Sequence, residues 1–420
     1  MKKSLRMFLN YFKKKNNKEL HFLFSLVMVM VTIPLPKYSL SSQAIVLFVL
    51  TWLLLNPISE KLILFKKNKK QFFVLSIPFW LYLFGLFFTD NIHYGISEFG
   101  RQMIFLIFPL VFSTIDVSFI KVNKIIKYFP IGVFIAAFFG FCKASFFLLN
   151  DLGNYFYYDQ FAVFLNKHTT YFSLFVVISI LINLKNIGKN KKDIFNYIML
   201  LFFILILYFL SVRISVIGLV AGALVLVYFK GNKKFKIAAF ILIPLVVFLV
   251  FASPNFQKRF EPSSIENTQI EDSEFRILHW KAVLETITYN NLLIGNGSGS
   301  NRDYLYKKYR EFKLTAAYED EYNTHNQFLE ILLDYGFIGL TLFILMLAYI
   351  LKRFIHSKDG LAISIFVVLL VFMLTESILV RHSGAIMFSL FILLFMIKTQ
   401  NIKLVTNRNC YFFLKRKNQI

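Results

Sequence analysis

Apolar runs of about 16 to 22 residues, each long enough to cross roughly 30 Å of hydrocarbon as a helix, follow one another along almost the whole chain. One long polar stretch, Ser253 to Thr324, interrupts them. The pattern predicts spans at Leu20–Pro36, Ser39–Ile58, Phe72–Thr89, Phe99–Thr114, Tyr128–Leu149, Thr169–Leu184, Ile194–Leu210, Val212–Phe229, Phe235–Ala252, Asn326–Ile350, Leu361–Leu379 and His382–Ile397. The expected fold is therefore an all-α polytopic membrane protein with about 12 transmembrane helices. Residues 1–252 would carry the first nine, 253–324 a large loop with short helices, 325–397 the last three and 398–420 a tail. No repeat at a fixed period and no low-complexity linker marks off a soluble domain.

Composition agrees: 57% of residues are hydrophobic, 53 are Phe, and the mean hydropathy is +0.61. The formal charge of +24 would ordinarily invite a nucleic-acid reading. Here the basic residues are dispersed over the tails and alternate loops, near Lys66–Lys70, Lys121–Lys127, Lys185–Lys192, Lys230–Lys236 and Lys352–Lys358. The intervening short loops hold only Lys37, Arg101, Lys167, Arg213 and Arg381. That asymmetry follows the positive-inside rule, so both termini are expected in the cytoplasm and the polar loop on the outer, periplasmic side. The first apolar run follows lysines as a signal peptide would but lacks a small-x-small cleavage site, and reads as an uncleaved helix. Cys142 falls within a predicted helix and Cys410 in the tail, so a disulfide is not expected, and no Cys/His spacing suggests a metal.

Ionisable groups gather towards the outer helix ends: Glu98, Arg101, Arg213, Glu330, Asp334, Glu376 and Arg381, with Lys143 the nearest to the midplane. A transporter would place such groups at mid-depth on interrupted helices, whereas this chain concentrates polar chemistry at one surface. The bland reading is that charges simply mark helix ends. Arg213 is set apart because Ile194–Phe229 is twice a membrane thickness and turns only at Ser211-Val212-Arg213. An arginine held that close to hydrocarbon either anchors the hairpin or binds an anion such as phosphate.

Within the loop, Phe275, Leu278, Ala282, Leu284 and Ile287 predict an amphipathic helix over Ser273–Thr288 capped by Ser273. Arg276 in its first turn would oppose the helix dipole. Gly295-Asn296-Gly297-Ser298-Gly299 reads as a turn or as an amide cradle for phosphate. Thr324 with Gln327 three residues on suggests a capping box, which places His325 at the first helical position, where the dipole disfavours imidazolium. A neutral imidazole at a wet surface can take a proton; the alternative is a histidine merely tolerated there.

The run His325-Asn326-Gln327-Phe328-Leu329-Glu330, leading to Gly336-Phe337-Ile338-Gly339, resembles the signature of the O-antigen ligase and polymerase superfamily. Ser211-Val212-Arg213 is similar to the family's Ser-x-Arg, and Arg276-x-x-x-Trp280 with the Gly295–Gly299 cluster to its loop pattern. Stretches like His168-Thr169-Thr170-Tyr171 and Leu374–Leu379 occur in some members, while Ile214-Ser215 departs from the small residue usual after the arginine. The resemblance implies a metal-independent, inverting glycosyltransferase without cofactor whose donor is a glycan on undecaprenyl diphosphate. His325 would then be the general base, Arg213 and Arg276 would hold the diphosphate, and Asn326, Glu330, Arg101 and Glu376 would support them. The acceptor stays open between a second lipid-linked repeat unit (polymerase), lipid A core (ligase) and a protein hydroxyl. A flippase of lipid-linked sugars, with no chemistry of its own, is the reading from a different class.

Overall fold

The computed structural model describes residues 16–186, 194–230, 272–289 and 292–398, with isolated positions at 237, 240, 244 and 248. Side chains at 272–276, 288 and 289, and those of Lys230 and Asn301, fall outside that description, as do most of the expected span Phe235–Ala252, the whole 253–271 stretch and the tail beyond 398. Every regular element among the described residues is a helix. Among the described residues, five stretches are long and apolar enough to cross a membrane: Tyr38–Leu55, Ile92–Ser113, Val122–Leu149, Thr169–Asn186 and Gln327–His356. Shorter apolar helices occupy Ile194–Leu210, Arg213–Phe229, Gly360–Met373 and His382–Lys398. Leu54, Phe87 and Leu149 stand exposed on the bundle surface, which suits lipid rather than water around it and makes this an integral membrane protein.

Several expected spans differ in their bounds: Phe99–Thr114 starts earlier, as Ile92–Gln102 followed by Ile104–Ser113, and Asn326–Ile350 continues to Ser357. Leu20–Pro36 is the helix Asn17–Thr32. Phe72–Thr89 is not one helix: Ile58–Leu75 ends at Ser76 and Ile77–Gly85 starts afresh. Pro78 explains the break, since its ring would meet the carbonyl of Val74 in a continuous helix and it has no N–H to give. Leu361–Leu379 likewise stops at Met373, and residues 374–381 turn across the end of the bundle.

Thr169–Asn186 is buried on nearly every face and forms the centre of the bundle. An all-round apolar sequence is what such a position requires. Around it phenylalanines interlock edge to face, as in Phe129 and Phe391 with centroids 5.0 Å apart. Arg213–Lys230 packs antiparallel on Gly360–Met373 through small residues: Gly218 opposes Phe372, Gly222 opposes Val368, and the Ser364 hydroxyl donates to the Gly222 carbonyl at 2.6 Å. Extending that register by one turn sets Arg213 level with the Glu376–Ser377 bend.

The polar loop has its own small core of Ala282, Val283, Ile287, Leu305, Tyr309, Leu314 and Ala317, closed by Leu333 from the long helix. The expected loop helix is present as Asp272–Tyr289, although Leu284 is exposed rather than on its buried face. The glycine cluster pins this unit to the bundle. Gly295, Gly297 and Gly299 all take positive φ; the Gly297 N–H donates to the Asp334 carbonyl at 2.9 Å and the Ser298 N–H to the Gly85 carbonyl at 3.3 Å. These two amides are committed to docking, so the turn reading holds over the phosphate cradle. In return Gly336 breaks the long helix at φ 61°, and the freed amides of Phe337 and Ile338 donate to the carbonyls of Leu292 (2.8 Å) and Leu293 (3.0 Å).

Lys167 is buried with its Nζ 3.1 Å from the Ser383 hydroxyl and 3.5 Å over the Tyr38 ring. Burial lowers its pKa to about 7. The unfolded chain keeps an ordinary lysine and binds more protons between those values, so this group makes stability rise with pH. Lys167→Met is therefore expected to raise the thermal midpoint of the detergent-solubilised protein more at about pH 7 than at about pH 9.5. Gly336→Ala should lower that midpoint sharply, because a Cβ there would lie 2.4 Å from the Leu293 carbonyl carbon. Gly100→Ala, with nothing within 4 Å, should leave it unchanged or slightly higher.

Candidate functional site

The long helix begins at Gln327, and its cap is Asn326, not Thr324. Asn326 Oδ1 accepts the N–H groups of Phe328 (2.9 Å) and Leu329 (3.2 Å). The expected capping box does not form, because both of its side chains are engaged elsewhere. Gln327 Oε1 accepts the Leu379 N–H at 2.7 Å, and Thr324 Oγ1 lies 2.7 Å from Glu330 Oε2. His325 consequently sits outside the helix, at φ 46°, with its N–H donated to Asn323 Oδ1 at 3.0 Å. A non-glycine residue there costs about 1–2 kcal/mol, so the surroundings hold this histidine in place rather than its own preference. The dipole argument made from position in the helix accordingly does not apply to it.

Glu330 is the hub beneath. Its buried carboxylate accepts the Thr324 N–H at 3.0 Å, the Thr324 hydroxyl and the Ser377 hydroxyl at 3.2 Å, and it forms an ion pair with Arg302. Burial alone would disfavour the guanidinium charge, but Glu330 more than offsets it and holds the Arg302 proton above its ordinary value. Thr324, Arg302 and Ser377 come from the linker, the loop helix Ser300–Glu311 and the 374–381 bend, so one carboxylate joins three segments.

The bend delivers Glu376 to His325. The Glu376 Oε2 to His325 Nδ1 distance is 3.3 Å; the carboxyl is nearly buried, and the imidazole keeps about a quarter of its surface exposed. A carboxylate at Nδ1 takes that nitrogen's proton in a hydrogen bond and leaves Nε2 with the free lone pair. Asn326 Nδ2 donates to the Leu374 carbonyl at 3.1 Å and Tyr171 to the Ser377 carbonyl at 3.0 Å, fixing the bend from both sides. The stretches His168–Tyr171 and Leu374–Leu379, far apart in sequence, thus meet next to His325.

Of the other expected site residues, Arg213 is the first residue of its helix, follows Ser211 at φ 48°, and is exposed. Arg276 lies on Asp272–Tyr289, one turn before His279, whose ring centroid is 5.4 Å from that of His325; the Arg276 side chain is outside the described residues. Arg101 pairs with Glu98 one turn back on its own helix rather than with the His325 group. Glu98, Arg302, Gln327, Glu330 and Asp334 line a cavity of about 60 Å³. This cavity backs Glu330 from the side away from His325.

Sequence reasoning passed over Arg302, His279 and Tyr309. Arg302 stands among several basic residues of one polar helix, and only the burial of Glu330 distinguishes it. His279 was within reach, since it falls on the same helical face as Ala282, Val283 and Thr286.

The fold and this site define an integral membrane protein that assembles a histidine–carboxylate pair and arginines at one end of a helical bundle. Residues 198–344, less than half of the chain, match the family described as O-antigen ligase, and this supports membership of the O-antigen ligase and polymerase superfamily. Proteins of that family are membrane glycosyltransferase-like enzymes. No curated protein matches the chain.

Glu330→Gln should destabilise the protein by about 3–5 kcal/mol, since it leaves the Arg302 charge buried and uncompensated. Asn326→Ala should cost only about 1 kcal/mol, the usual worth of a cap. Thermal unfolding of the two variants in detergent checks the order.

Proposed function

We propose that the chain polymerises glycan repeat units carried on undecaprenyl diphosphate, by metal-independent inverting glycosyl transfer. The reading sets the reaction at the periplasmic face of a bacterial inner membrane, on a loop spanning 253–324, with both termini cytoplasmic. The observation that carries it is the Glu376–His325 pair, placed level with Arg213 and next to the Arg276 helix, largely within the segment that matches the family.

In this reaction His325 Nε2 takes the proton of the acceptor hydroxyl as its oxygen bonds to the anomeric carbon. The bond from that carbon to the diphosphate oxygen breaks with inversion, and undecaprenyl diphosphate leaves with the electron pair. Arg213 and Arg276 offset the charge that grows on the leaving group, and Glu376 offsets the imidazolium. Glu330 and Asn326 hold the backbone that presents His325, and Arg101 with Glu98 braces the wall beyond the small cavity.

A second reading, which the family match does not separate from the first, is transfer of the finished polymer to lipid A core. Surface glycans of cells lacking the protein, resolved by size, separate the two. Lipid A bearing a single repeat unit supports polymerisation; bare core with polymer retained on undecaprenyl diphosphate supports ligation; an unchanged profile overturns both. His325→Ala should reduce transfer by about 10²-fold or more at equal membrane insertion. Arg213→Lys should also lose most activity, because an ammonium cannot reproduce the bidentate fork of a guanidinium. Wild-type product from either variant would remove that residue from the mechanism.

A further inference from the structure

His279 has no part in the reaction as written, yet it is almost wholly buried and its ring lies 5.4 Å from that of His325, inclined by 56°. Its Nε2 is 2.6 Å from the Tyr309 hydroxyl, and the two rings stack with centroids 4.9 Å apart. Tyr309 is itself fully buried and reaches the Asn323 carbonyl at 3.4 Å. Asn323 in turn holds the His325 N–H through its side chain. Two routes therefore lead from His279 to His325: one through the ring face, the other through Tyr309 and the backbone of Asn323.

We propose that His279 and Tyr309 are positioning residues for His325, fixing the plane of the imidazole that accepts the proton and tying it to the helix that carries Arg276. This rests on the general-base reading of His325. A ring at φ 46° is held by its neighbours rather than by its own backbone preference, and Tyr322, edge-on at 5.3 Å, and Glu376 supply only two of its sides. The His279 face closes a third. The hydroxyl of Tyr309 has one proton to give and two acceptors in reach. The shorter contact is the one to His279 Nε2, and it ties the two rings together beside the imidazole of His325. The charged and titratable groups around this pair are Arg302 and Tyr306 on the helix of Tyr309 itself, Glu330 on the long helix, Tyr322, His325 and Glu376 at the linker and bend, and Lys281 and Glu285 on the helix of His279. Burial, followed by Glu330, holds the Tyr309 hydroxyl well above its ordinary pKa, so it stays a donor at every working pH.

The geometry also joins the two halves of the chemistry. Arg276 and His279 are one turn apart on a single helix, so a displacement of that helix by the donor diphosphate would be felt at the base.

The test uses the full-length protein in lipid vesicles, with lipid-linked glycan extracted from cells lacking the protein as substrate. Tyr309→Phe removes only the hydroxyl. It should lower kcat by about 10-fold with KM for the glycan within about twofold, and should move the acid limb of the pH profile. His279→Gln, which can still bond Tyr309, should retain more activity than His279→Leu; it carries the same readout should Tyr309→Phe insert poorly. A wild-type kcat and pH profile in Tyr309→Phe and His279→Leu, with His325→Ala inactive, would overturn the positioning role and leave the general base standing. Full activity in His325→Ala would overturn both.

Discussion

A single buried carboxylate organises this end of the molecule. Glu330 is charged, nearly inaccessible to water, and surrounded by donors that belong to three otherwise separate pieces of chain. Isolated, such a charge would be expelled from the interior or protonated. Paired with Arg302 and bonded to Thr324 and Ser377, it penalises any arrangement in which one of those segments is elsewhere. The stability it adds is modest because two desolvated charges roughly cancel. What it contributes is uniqueness: the loop, the linker and the bend have one mutual placement in which no charge is left alone.

The chemistry occupies the periphery of that arrangement. His325 projects from a strained backbone position that the cap at Asn326 and the Asn323 side chain enforce, and Glu376 reaches it only because the following span ends at Met373. The arginines stand on two further elements, one at the head of a glycine-packed helix pair and the other on the loop helix. Charge is thus gathered at one end of the apolar bundle, which holds these elements in register.

Much of this was legible in the chain because membrane spans are written in length and apolarity, which one sequence displays directly. The extent of the loop helix was legible too, but its buried face, which runs through His279, Ala282, Val283 and Thr286 and leaves Leu284 exposed, was not. The misreadings share a cause. Thr324 and Gln327 have the spacing of a capping box, yet each side chain is claimed by a partner some six to fifty residues away, and spacing carries no information about such partners. The end of the Leu361–Leu379 run at Met373 was invisible because Ile378 and Leu379 are as apolar as the helix before them; they are buried in a bend instead. Arg302 could not be distinguished among the basic residues of its helix without knowing that Glu330 faces it.

The helix break at Gly336 bears on how the His325 group can be reached. Two amides of the long helix are satisfied only by the carbonyls of Leu292 and Leu293, and the glycine turn returns the exchange to Asp334 and Gly85. Lifting the loop as a lid would strand these four pairs close to hydrocarbon, where each unpaired group costs about 1–3 kcal/mol. The turn over residues 292–298 behaves as a fixed wall beside the long helix, and whatever reaches the His325 group must come past the exposed edge of that imidazole.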